Sequence, residues 1–125
     1  MPTTDLIGFG HANSVDLSAS TLTLDLTTHS GVVVNCLATT TITLPATVIG
    51  QRFCIRIGAP NITVTISPNS SDLIVGPGAA NSGAGADDKD VIFTNQPAGS
   101  YIVLDAITTT GFTIVRALGT FTYQG

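Results

Sequence analysis

Apolar residues in this chain recur at every second position through a succession of short runs, and that spacing restricts the fold more than any other feature. In "STLTLDL" (20–26) Leu22, Leu24 and Leu26 alternate with Thr21, Thr23 and Asp25. "TTTITLP" continues with Ile42 and Leu44, "QRFCIRIG" with Phe53, Ile55 and Ile57, and "NITVTISP" with Ile62, Val64 and Ile66. A period of two puts one set of side chains on each face of a strand, so each run predicts a strand with one face buried. "GVVVNCL" (31–37) differs, because three consecutive valines predict a strand covered on both faces. Further runs occur at "DLIVG", "DVIFT", "SYIVLDAI", "GFTIVRAL" and "TFTY".

Gly, Pro, Asn and Ser separate these eight to ten runs, which predicts tight corners. Pro45 removes a backbone donor and Gly50 turns the chain between two strands. About one residue in six is threonine, which suits a pleated surface, and no run shows a helical stripe. The expected fold is all-β, a β-sandwich or jelly-roll-like single domain over residues 20–125. Residues 1–19 are expected to form an extended N-terminal arm, with Leu6, Ile7 and Phe9 as isolated apolar anchors. Residues 76–90, "GPGAANSGAGADDKD", are too long for a hairpin turn and carry no period of their own, and no internal repeat points to a solenoid.

At 125 residues the chain is long enough to bury a core without disulfides or metals. It is 43% hydrophobic and only 10% charged, so charge does not cover its apolar surface and self-association is expected. The net charge is −4, and the basic residues are Arg52, Arg56, Lys89 and Arg116. So few cations argue against nucleic acid as a partner. No run reaches the length of a membrane helix, and "MPTTDLIGFGHANS" lacks the pattern of a signal peptide, so neither a membrane nor standard export is expected.

Candidate chemistry is sparse. Cys36 and Cys54 lie in predicted strands and fit either buried free thiols or a cross-strand bridge, the former favoured where export is not expected. His11 and His29 are read as surface or interface residues. Asp87, Asp88 and Asp90 are clustered carboxylates of the kind that can hold calcium, but they lack the EF-hand spacing and read as a solvated loop end. The glycine tract has no Lys-Ser/Thr following it, and neither a nucleophile elbow nor a recognisable carboxylate pair is present. No catalytic, cofactor or metal residue is assigned, and the chain is not expected to be an enzyme.

"TITLPATVIGQRFCIRIGAPNITVTISPNSSDLIVG" and "SYIVLDAITTTGFTIV", with Gly111 and Phe112 at a turn, resemble a β-rich module of tailed-bacteriophage virion proteins. The similarity spans roughly residues 40–116, whereas the first forty residues have no counterpart in it. That resemblance implies a capsid decoration (cement) protein, typically a homotrimer made in the host cytoplasm and bound to the major capsid protein on the outer surface of the virion. It also implies an alternative, a tail-fibre or spike head that binds a host receptor or glycan. The single small domain favours decoration. On that reading the interface draws on Leu6, Ile7 and Phe9 of the arm, on Val33 and Tyr101 of two strands, and on Asp87 and Asp88 of the glycine loop.

Overall fold

The computed structural model describes residues 13–69, 72–76 and 90–123. Eleven strands and one helical turn are present among them, arranged as two sheets. The strands are β1 (Ser14–Leu17), β2 (Thr21–Thr23), β3 (Val33–Cys36), β4 (Thr40–Thr43), β5 (Arg52–Ile57) and β6 (Thr63–Ser67). They continue with β7 (Leu73–Val75), β8 (Val91–Thr94), β9 (Tyr101–Thr108), β10 (Gly111–Leu118) and β11 (Thr122–Tyr123). The helical turn α1 spans Leu26–His29. The first sheet has the order β1-β3-β5-β9-β10-β7 and the second β11-β8-β6-β4-β2.

The all-β sandwich matches expectation, but its path is not that of a jelly roll, which is built from antiparallel strands. From β1 to β6 the chain alternates between sheets, and each strand lies parallel to the one two steps earlier. Ser14 aligns with Val33 and Val33 with Cys54; Thr21 aligns with Thr41 and Thr41 with Thr65. Three stacked rungs result, β1/β2, β3/β4 and β5/β6, with antiparallel β9 and β8 closing the stack against β5 and β6. Ser14–Leu17, grouped with the arm by sequence, belongs to the first sheet, and Leu17 joins the core.

The core lies between the sheets. Val34, Phe53, Ile55, Ile57, Ile102, Leu104 and Phe112 of the first sheet meet Ile42, Val64, Ile66, Val91 and Phe93 of the second, all essentially without exposure. Phe53 and Phe112 pack with ring centroids 5.6 Å apart and tilted by 58°. Burying a side chain of this size stabilises by about 1.5–3 kcal/mol, so the alternating runs supply the main drive to fold.

Two features depart from the alternation. Leu26 was expected beside Leu22 and Leu24; it opens α1 instead and is exposed. The cause is Asp25, whose Oδ1 accepts the backbone N–H of Thr28 at 2.7 Å and caps the turn. That hydrogen bond also holds the Asp25 carboxyl below its usual range. His29 is buried rather than on the surface, and its Nδ1 accepts the backbone N–H of Asp25 at 3.0 Å.

Candidate interaction surface

Register defines two ends of the sandwich. Strands β1, β3 and β5 begin at one end, where β2, β4, β6 and β9 finish. This upper end carries α1, the connection 44–51 and the turn between β9 and β10. Four large apolar side chains gathered here, Leu26, Val48, Ile49 and Ile107, are exposed, Ile49 by 60% and Ile107 by 56%. Ile49 and Ile107 flank a backbone bridge in which Gly50 N–H donates to Ala106 O and Ala106 N–H donates to Gln51 O, each at 3.0 Å. Gly50 takes φ +98°, a left-handed conformation that suits glycine, which lets the connection fold over the end of β9.

Beside this bridge is an open depression of about 430 Å³, whose lining includes Ser30, Gln51, Arg52, Asp105 and Ile107. The Arg52 guanidinium donates to Asp105 from Nε at 2.5 Å and from Nη2 at 2.6 Å. Gln51 is buried, and its Oε1 accepts the Val48 N–H at 3.1 Å. Its Nε2 has no hydrogen-bond partner, an arrangement that costs about 1–3 kcal/mol for a buried donor.

The outer face of the first sheet is ordered in rows across the strands. One row runs Ser14, Val33, Cys54, Val103 and Arg116; Val33, Cys54 and Val103 form a small buried cluster with Tyr101 packed against it. The next row is polar: Arg56 donates to Asn35 Oδ1 at 2.6 Å, and Asn35 donates to Asp16 Oδ1 at 3.0 Å. Arg52 and Asp105 form the row on the other side. Long side chains thus border small apolar ones, which leaves Val33 and Cys54 buried on an outward face.

Among the residues expected from sequence to form an interface, Val33 and Tyr101 belong to this outer cluster, with Val33 buried and Tyr101 half-buried. Leu6, Ile7, Phe9, Asp87 and Asp88 lie outside the described residues, as do His11 and most of the glycine tract. The exposed residues Val48, Ile49 and Ile107 were missed. Ile49 and Ile107 flank Gly50 and the end of β9, and their place at a chain reversal is the signal that could have found them.

Cys36 and Cys54 are free and buried on opposite faces of the first sheet. Cys54 aligns with Val33, three residues before Cys36, and an odd offset reverses the face. Cys36 therefore joins the inter-sheet core and Cys54 the outer cluster. Burial pushes both thiols up to about 12. Among the described residues, no group of three or more His, Cys, Asp or Glu side chains could hold a metal ion, and no helix is long and apolar enough to cross a membrane. No protein-family model matches the chain, and no curated protein matches it significantly.

Proposed function

We propose that this chain is a bacteriophage capsid decoration protein that binds the outer surface of the head as a homotrimer and contacts the major capsid protein. The observation that carries the reading is the gathering of Leu26, Val48, Ile49 and Ile107 at one end of a domain with little surface charge. Val15, Leu37, Val115 and Leu118 are exposed elsewhere, but the four at this end sit at or beside chain reversals, where apolar side chains suit a partner's surface better than a solvated one. The resemblance of residues 40–116 to virion modules points the same way.

The function on this reading is adhesion. A standard protein interface buries about 1,600 Å² in total, and its repetition over a shell raises the cost of opening any one capsid joint. The test is addition of the purified protein to undecorated capsids, followed by measurement of occupancy and heat resistance. Saturable binding with a raised disruption temperature supports decoration, and absence of binding overturns it.

The alternative, a tail-fibre or spike head that binds a receptor or glycan, draws on the parallel rungs, since rungs of this kind stack along an axis in elongated proteins. Copy number separates the two readings: hundreds per purified virion for decoration, a few tens at most for a fibre.

A further inference from the structure

The first sheet ends in two edges, and among the described residues each is open over about one short strand. At one edge stands β1, whose neighbour is β3. At the other, β7 lies along β10 from Gly111 to Thr113, with Gly76 still against Ile114. Over residues 115–118 the far side of β10 has no described partner strand, and this part of β10 is exposed throughout. Rows of backbone N–H and C=O groups left open in this way are templates for a further strand.

The two edges match on both faces of the sheet. On β1, Val15 aligns with Val34 of the core and so belongs to the inner face, yet it is 42% exposed. Asp16 belongs to the outer face, where one of its oxygens accepts from Asn35. On β10 a bulge at Val115 separates Ile114, opposite Leu104, from Arg116, opposite Val103. Arg116 therefore shares the outer face with Val103, and Ala117, opposite Ile102 of the core, takes the inner face. A groove of about 420 Å³ opens beside them, with Ile114, Ala117 and Phe121 in its lining. Arg116 has no ion pair among the described residues, whereas Arg52 is held by Asp105 and Arg56 by Asn35. One edge thus carries an apolar knob inside and a carboxylate outside, and the other an apolar groove and a guanidinium.

Strand direction agrees with the match. β1 is parallel to β3 and β5, β9 opposes β5, and β10 opposes β9, so β1 and β10 run the same way. A second copy set edge to edge in the same orientation therefore extends the sheet by a parallel pair, with inner and outer faces continuous across the joint.

We propose that β1 of one copy adds to residues 115–118 of β10 in the next, and that this joint holds the homotrimer. Ser14 lies beside Arg116, Val15 beside Ala117 and Asp16 beside Leu118. Val15 fills the groove, and the Asp16 carboxylate stands diagonally across from Arg116, within reach of its long side chain. Each copy gives one edge and receives at the other, a head-to-tail contact of the kind that closes into a ring. The inference rests on the trimer of the proposed function and names the surfaces that form it.

Light scattering of the full-length protein reads the trimer, and cross-linking reads the joint. Val15→Cys and Ala117→Cys are introduced together and the protein is oxidised, with Val15→Cys alone as the control. Within one molecule the two positions are four strands apart, about 19 Å, too far for a disulfide. Cys36 and Cys54 do not compete, because both are buried. Disulfide-linked trimers from the double variant, with no cross-link in the control, support the joint. Linked dimers of the control show β1 pairing with itself and overturn it. A trimeric protein whose double variant does not cross-link overturns the joint and leaves the trimer standing, whereas a monomer overturns both. Val15→Asp, which sets a charge in the groove, is expected to keep its circular dichroism spectrum and to dissociate at concentrations at least tenfold higher. A folded Val15→Asp protein with unchanged dissociation also overturns the joint.

Discussion

Arg52 and Asp105, 53 residues apart in sequence, stand directly opposite on β5 and β9 and share two parallel hydrogen bonds, Nε to Oδ1 and Nη2 to Oδ2. The pair ties the rung stack to its antiparallel closing strand and borders the depression at the upper end. Its side chains are 35% and 20% exposed, so water screens part of the attraction. Replacing either residue by Ala is expected to cost about 1–2 kcal/mol, with a coupling of about 1 kcal/mol in the double-mutant cycle. Urea unfolding of the two single variants and the double variant measures it, and strictly additive losses would show that the pair contributes nothing.

Thr40 gives a prediction of opposite sign. It is 2% exposed at the start of β4, and its hydroxyl has no hydrogen-bond partner. Valine has nearly the same shape and is at home in a strand, so Thr40→Val removes an uncompensated polar group without opening a cavity. The variant is expected to be more stable by about 1 kcal/mol, which raises the melting temperature by roughly 3–5 °C for a domain of this size. A lower melting temperature in calorimetry would refute this account of Thr40.

Much of this architecture is readable from spacing alone. Ile42 and Leu44, Phe53 with Ile55 and Ile57, and Val64 with Ile66 all face inward as their alternation requires; of the three valines, Val33 and Val34 lie in a strand and are buried on opposite faces, whereas Val32 precedes it. The parallel rungs were not readable, because a period of two reports which face a residue occupies and carries nothing about the direction of the neighbouring strand. α1 escaped for a local reason: Asp25 and Leu26 continue the alternation, yet the Asp25 carboxylate bonds the Thr28 N–H and diverts the chain into a turn. The Arg52–Asp105 pair and the apolar upper end depend on strands brought together from distant parts of the chain, which no local pattern encodes.

The two thiols predict a pH dependence. In the unfolded chain they ionise near the ordinary value of 9.0, whereas burial holds them protonated in the fold up to about 12. Between these values the folded state binds more protons than the unfolded one, so stability is full below pH 9 and falls as pH rises toward 12. Tyr123, also shifted upward by burial, adds to the loss. The double variant Cys36→Ala/Cys54→Ala is expected to be less stable at pH 7, by about 1–2 kcal/mol per site, and to lose stability less steeply above pH 9. Urea midpoints from pH 7 to 11 decide the matter, and parallel curves for the two proteins would contradict it.

The apolar upper end separates adhesion from folding. Ile49 and Ile107 are more than half exposed, so Ile49→Ser and Ile107→Ser remove little buried area, and each is expected to change stability by no more than about 0.5 kcal/mol. If the end faces the capsid, the same changes delete apolar contacts at a joint repeated over the shell. Each is then expected to weaken binding about tenfold, and the double variant about a hundredfold, the equivalents of about 1.4 and 2.8 kcal/mol. Occupancy on undecorated capsids is titrated for each variant, with light scattering of the free protein alongside. Lost occupancy with an unchanged oligomer locates the capsid contact at this end. A smaller oligomer in solution assigns Ile49 and Ile107 to the contact between copies instead. Full occupancy and an unchanged oligomer would remove the upper end from the interface and, with it, the observation on which decoration rests.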